Sequence, residues 1–289
     1  MKIQITGDST LDLTKELYEK YDIAIIPFVV SLGDETYYDG VNITPSDIYD
    51  FVAKTGKLPT TGAKSPDDVK AFFESFTDKG FEVIHIGIGA DLSSGYSYAC
   101  VASKDNPHVH LVDSRTLSSG SGLLAIYASE LNKTGNFTAE EIAKKVRKRA
   151  YFGQSSFIIE NLKFLHKGGR CSMISMLGAN LMRIKPCIQV VNGKNKVTRK
   201  YVGNMPNCVE KYIDETLKIY NTPDHTRCIL TYGTTTPEIL SSAKNTLERY
   251  GKFKEIIITQ AGSVINSHCG ENTMGFFFLN DGNDNHFSN

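Results

Sequence analysis

The sequence predicts an α/β protein in two lobes. The N-terminal lobe, residues 1–153, is read as a mainly parallel sheet with helices on both faces, and the C-terminal lobe, residues 154–289, as α/β with a mixed, partly antiparallel sheet. Three observations carry this. The 289 residues suit two packed units at roughly 100–200 residues each. The first half alternates short apolar runs with capped helical segments. The second half opens its strands with an Asn-Gly hairpin signal.

Residues 2–6 read as the first strand, with Ile3 and Ile5 on one face. Residues 23–30 are a second apolar run, which Pro27 confines to an edge or bulge. Residues 31–41 break the rhythm and read as a small hairpin excursion. Thr44-Pro45-Ser46-Asp47 and Ser65-Pro66-Asp67-Asp68 each give a capping hydroxyl, a proline at the first helical position and an early acid. Residues 81–88 and 109–112 are the third and fourth strands, and Thr138 starts a helix before the lobe boundary. Beyond it, residues 186–191 and 196–202 flank Asn192-Gly193, a type I′ hairpin signal. Helices near 206–220 and 236–250, strands near 227–232 and 254–259, and a last apolar strand at 274–279 follow. The polar tail from residue 280 is expected to fray.

Hydrophobic residues make up 40 % and charged residues 22 %, an ordinary globular balance that excludes disorder and coiled coil. Thirty-two basic and 32 acidic residues cancel, which argues against binding along nucleic-acid backbones. No stretch approaches the roughly 18–20 apolar residues of a membrane span, and the N-terminus turns polar too early for a signal peptide. Six cysteines without a CxxC pair point to a reduced, cytoplasmic setting.

Several loops could carry chemistry. Asp91-Leu92-Ser93-Ser94-Gly95-Tyr96 follows a strand and opens a helix, where outward N–H groups favour an anion. Thr60-Thr61-Gly62-Ala63-Lys64-Ser65 offers two more hydroxyls, without the GxxxxGK[ST] spacing of a P-loop. For both, a plain capping turn is the competing reading. Residues 113–122 form a Ser/Gly-rich loop. With the Asp8-Ser9-Thr10 turn, these loops fall beyond the carboxyl ends of the strands, where open sheets bind ligands. Gly168-Gly169-Arg170 sets a guanidinium on a permissive turn, suited to a carboxylate or phosphate. Ser267-His268-Cys269-Gly270 places a histidine in a loop, where it could orient an acid or shuttle a proton. Ser93 with His268 could in principle form a nucleophile–base pair, although the G-x-S-x-G elbow is missing. No spacing supports a metal site. Met173, Met176, Leu177, Leu181 and Met182 on one predicted helix, with Phe276-Phe277-Phe278, read as core that could also line a hydrocarbon tunnel.

In order along the chain, Asp8-Ser9-Thr10-Leu11-Asp12-Leu13, the Thr61 loop, Leu92-Ser93, Val112-Asp113-Ser114, Lys167-Gly168-Gly169-Arg170, Ile184-Lys185-Pro186 and Ser267-His268-Cys269-Gly270 resemble the motif set of the DegV family. The resemblance runs from about residue 3 to about residue 280. It implies a two-lobed protein that grips one long-chain fatty acid in an apolar tunnel between lobes. It also implies no cofactor and no catalysis by the chain alone. Members resemble the acyl-binding subunit of bacterial fatty acid kinase, which presents the carboxylate to a separate ATP-binding kinase subunit. Carried over residue by residue, the resemblance puts the carboxylate on Thr61 and Ser93, with His268 in the same network and Arg170 toward the phosphoryl group or the partner. The chain departs from the family pattern at Gly62, where a serine is usual, at Ser94-Gly95, and at Cys269-Gly270-Glu271. Two rival readings stand beside it: a storage, transport or signalling module without a kinase partner, and a Ser93/His268 lipid esterase.

Overall fold

The computed structural model describes residues 2–160, 162–171 and 184–281. The predicted strands of the first half become β1 (Lys2–Asp8), β2 (Ile23–Ile26), β6 (Phe81–Gly87) and β7 (Val109–Asp113). They form a fully parallel sheet in the order β2-β1-β6-β7. Pro27 ends β2 at the sheet edge, and the chain re-enters as β3 (Val29–Leu32), part of a separate antiparallel sheet. That small sheet has the order β4-β3-β5, with β4 at Glu35–Tyr38 and β5 at Thr60–Gly62. The predicted hairpin excursion is therefore real, but it begins two residues earlier and captures the Thr61 segment as its third strand.

Helices α2 (Pro45–Thr55), α3 (Pro66–Thr77) and α6 (Ala139–Arg149) start at the expected caps. Thr44 and Thr138 close capping boxes with Asp47 and Glu141. Helix α1 is Lys15–Tyr21 and α4 is Gly95–Ala102.

The Ser/Gly loop is a correction. Its second half is the start of α5 (Ser119–Lys133), whose residues from Ser119 to Ile126 are all buried. This helix packs on β1 and β6 on one side and on β8 (Gly153–Ile158), β11 (Pro223–Tyr232) and β13 (Met274–Asn280) on the other. Such contact needs small residues. A Cβ on Gly120 would sit 2.5 Å from Ser155 Oγ, and one on Gly122 2.7 Å from the Leu11 carbonyl. Glycine and serine at a helix start look like loop from sequence, and here they permit close approach.

The second sheet runs β10-β9-β8-β13-β11-β12, with β9 at Ile184–Val191, β10 at Lys194–Val202 and β12 at Glu255–Gln260. Only β11–β12 is parallel, so the sheet is mixed as expected. Asn192 and Gly193 both take positive φ, 50° and 78°, as a type I′ turn requires. Strand β8 gave no sequence signal because Gln154, Ser155 and Ser156 are polar yet buried. Helices α8 (Met205–Ile219) and α9 (Pro237–Tyr250) cover one face, over a core that includes Tyr212, Phe276 and Phe278.

Polar contacts cross between the halves. Ser119 of α5, Thr231 of β11 and Thr259 of β12 close a buried ring of hydroxyls, at 2.6, 3.0 and 3.1 Å. Arg227 of β11 grips both oxygens of Glu130 on α5, at 2.6 and 3.0 Å. The methionine-bearing helix expected around 173–182 and the tail from 282 lie outside the described residues. Among the described residues no helix is long and apolar enough to cross a membrane.

Candidate functional site

A cavity lies between the two halves of the chain. Thr61, Ser93, Arg170 and His268 all line it, together with Phe28, Leu92, Leu117, Phe157 and Val264. Residues from widely separated stretches of sequence thus meet around one apolar space. A second, smaller cavity shares Leu117, Phe157, Ile265 and Cys269 with the first and continues toward Phe277. Of the three consecutive phenylalanines, Phe277 faces this space, and Phe276 and Phe278 point into the opposite core. Alternation along β13 forces that division.

Histidine 268 corrects an expectation. It is not on a loop but on helix α10 (Ser263–Cys269), after α7 (Lys163–Lys167) in chain order. Seven residues with two serines and one asparagine gave too short a period to read as helix. The helix is held at its start by the other half of the chain. Asp12 accepts from Gly262 N at 2.8 Å, and Asp39 accepts from Ser263 N at 2.7 Å. Asp12 also accepts from Ser118 Oγ at 2.5 Å, and Asp39 from Ser9 Oγ at 2.8 Å. Both aspartates are buried, and burial pushes their pKa values up. The Asp8 turn belongs to the expected rim, whereas no local sequence signal marks Asp12 and Asp39 as the anchors of α10.

Thr61 Oγ1 and His268 Nε2 are 2.7 Å apart. Burial, and then the charge of Arg170, lowers the histidine pKa from 6.5 to about 4. The ring is therefore neutral near pH 7 and carries one hydrogen. Nδ1 is buried with no partner among the described residues, against Gly168, where a Cβ would lie 2.6 Å away. A buried N–H without an acceptor costs more than a bare lone pair, so the hydrogen belongs on Nε2 and is donated to Thr61. That leaves the Thr61 O–H proton free to face the cavity.

Ser93 shows the same arrangement by another route. Its Oγ accepts at 3.2 Å from the N–H of Gly95, the first residue of α4. The capping reading and the ligand reading of this serine are thus compatible. The oxygen serves the helix and the proton remains available. Arg170 is exposed at the mouth, its guanidinium donating to the Gly168 carbonyl at 2.7 Å.

A family profile described as uncharacterised proteins of the DegV family matches residues 2–281. The chain belongs to the DegV family. Among DegV-related proteins, a fatty acid-binding protein of Thermotoga maritima is 28 % identical over 284 residues, 96 % of this chain and 97 % of that one. A DegV family protein from Thermus thermophilus, described for its fatty acid binding, superposes with a TM-score of 0.87 at 24 % identity, over 97 % of this chain and 100 % of that one. The fatty acid kinase (Fak) B3 protein of Streptococcus pneumoniae, loaded with linoleic acid, superposes with a TM-score of 0.82 at 18 % identity, over 97 % and 100 %. At those two identities the superpositions show the shared DegV fold.

In this DegV chain the Ser93–His268 pair of the esterase reading does not form. Nε2 is engaged by Thr61, Nδ1 faces Gly168, and no carboxylate orients the ring among the described residues. No group of three or more His, Cys, Asp or Glu side chains among the described residues is arranged to hold a metal ion.

Proposed function

We propose that this chain binds one long-chain fatty acid, its carboxylate on the hydroxyls of Thr61 and Ser93 and its tail in the apolar cavity. The observation that carries the reading is the shared state of those hydroxyls. Each oxygen already accepts an N–H, so each has a proton to give and no need of one. Two such donors suit an anion. Burying a chain of about sixteen carbons at about 0.8 kcal/mol per methylene is worth on the order of 10 kcal/mol before ordering costs. The fatty acid-binding relative from Thermotoga maritima supports the same ligand class.

The finer part of the proposal concerns the partner. A carboxylate held by neutral donors, without a direct salt bridge, keeps its nucleophilicity. The chain has no P-loop sequence, so a phosphoryl donor would arrive on a separate ATP-binding fatty acid kinase subunit. There a carboxylate oxygen attacks the γ-phosphorus of ATP, the bond to ADP breaks, and an acyl phosphate forms. Arg170 at the mouth would meet the phosphoryl group or the partner. His268 stays neutral and keeps Thr61 oriented. The working unit is the whole chain, two lobes divided at 153–154 with the cavity between them, in a cytoplasmic setting.

The first experiment is denaturing extraction of the purified protein followed by mass spectrometry. One equivalent of a fatty acid supports the reading and names the chain. An empty protein that also fails to take up added fatty acid sinks it. Incubation of the loaded protein with a fatty acid kinase subunit, ATP and hydroxylamine should then yield the acyl hydroxamate. Loading without hydroxamate favours storage or transport. Turnover of a chromogenic ester that disappears in Ser93→Ala would instead establish the esterase.

A further inference from the structure

Asn195 lines the same cavity as Thr61, Ser93 and His268, and nothing in the proposed function uses it. It lies near the start of β10, on the hairpin whose tip reaches Asp91, and it is only 7 % exposed. Its Nδ2 donates to the Arg170 carbonyl at 3.1 Å. That bond fixes which way the amide faces, since turning it over would set oxygen against oxygen. The amide oxygen, Oδ1, is then buried with no partner among the described residues.

Of the other polar groups around the cavity, Thr61, Ser93 and Arg170 offer hydrogens, and the bare Nδ1 of His268 is turned toward Gly168. Thr61 and Ser93 have free protons, and Arg170 is a cation. Asn195 Oδ1 offers only lone pairs. An ionised carboxylate has only lone pairs as well, so it cannot answer this atom. A ligand with an O–H at its head end can. Sites that hold a buried group ready for a ligand hydroxyl reject ligands lacking it far more strongly than shape alone can.

On the reading that this cavity takes a fatty acid, we propose that Asn195 is a specificity-determining residue that accepts a hydrogen bond from an O–H at the head end of the ligand. Two sources share that chemistry. One is a hydroxyl on the α or β carbon of the acyl chain. The other is the proton of the carboxyl group itself, in an acid bound un-ionised.

The test titrates the full chain with palmitic acid and with its α- and β-hydroxy derivatives, in wild type, Asn195→Leu and Asn195→Ala. If the acyl hydroxyl is the donor, one hydroxy acid binds wild type about tenfold tighter than palmitic acid at mildly alkaline pH. Both variants then lose that ratio. If the carboxyl proton is the donor, palmitic acid binds wild type more tightly as pH falls, and the variants lose that slope. Loss of the bond to the Arg170 carbonyl would weaken every ligand alike, so the ratio and the slope separate recognition from a structural role. The second variant guards against one that does not fold. Equal ratios and equal slopes in wild type and variants overturn the assignment while palmitic acid still binds. Failure of wild type to bind any of the three acids overturns the fatty-acid reading and this assignment with it.

Discussion

Thr61 Oγ1 and His268 Nε2 lie 2.7 Å apart although 207 positions separate them in the chain. One sits on an edge strand of the small N-terminal sheet and the other on a short helix of the C-terminal half. Their bond joins the halves at the point where a head group would enter. Thr61→Ala and Ser93→Ala should each weaken fatty acid binding by roughly 1.5–3 kcal/mol, the range for a charge-assisted hydrogen bond. Thr61→Val combined with His268→Phe should cost less than the sum of the two single changes, because they act through one bond. Titration calorimetry reads both. A double Thr61→Ala, Ser93→Ala variant that binds as tightly as wild type rules out the head-group assignment.

Gly168 should be intolerant of even one added carbon. Its backbone is in an ordinary right-handed conformation, so alanine meets no conformational penalty. The added Cβ would nonetheless lie 2.6 Å from His268 Nδ1 and 3.0 Å from the Phe164 carbonyl. The ring must turn, and the bond to Thr61 goes with it. Gly168→Ala is expected to match His268→Gln in lost affinity, about tenfold, with little change in melting temperature. Unchanged affinity in Gly168→Ala would mean the ring position is not what counts.

Gly62 stands where the family pattern has serine, and nothing lies within 4 Å of the Cβ it would carry. The space for a third hydroxyl is therefore present. Gly62→Ser should fold as wild type and bind fatty acid a few-fold more tightly, about 1 kcal/mol for a hydrogen bond at a partly exposed site. Weaker binding would show that this chain uses the gap for something else, such as a bulkier head group.

Acid should destabilise the protein through two histidines. His268 and buried His85 both fall from 6.5 to about 4 in the folded chain, each chiefly by burial. The unfolded chain takes up their protons first as pH drops. The stability due to the neutral rings is therefore present above about 6.5 and lost as pH falls toward 4. Asp8, Asp12 and Asp39 act in the opposite sense. Burial raises their pKa values, so their protonation favours the folded state and offsets part of the loss. Chemical denaturation at stepped pH should show a shallower acid loss in His268→Gln than in wild type. Identical profiles would mean that His268 is not held neutral.

Much of this was legible in the sequence, for identifiable reasons. The parallel strands read cleanly because buried Val and Ile run together, and the helices after Thr44, Ser65 and Thr138 because proline or an acid follows the cap. Thr61, Ser93 and His268 came from ordered short motifs, and the structure brings them to one cavity. What escaped notice had no local pattern. Strand β8 is polar because it faces other polar groups in the interior, including Tyr212, whose hydroxyl lies 2.8 Å from Ser156 Oγ. Helix α10 is too short to show a period, and its N-terminal anchors lie more than 200 residues upstream. Asn195 is one polar residue in a hairpin of alternating polar residues, and only its burial sets it apart.

The anchoring of α10 has a consequence for how the chain can be divided. Asp12 and Asp39 belong to the first 153 residues, and the amides they hold belong to the rest. Expressed alone, the first piece would carry two carboxylates facing empty space, and the second a helix with its opening amides bared. Neither fragment should be a stable body. Mixed, each supplies what the other lacks, so this protein is a natural candidate for a split reporter whose reassembly rebuilds the cavity in the same step.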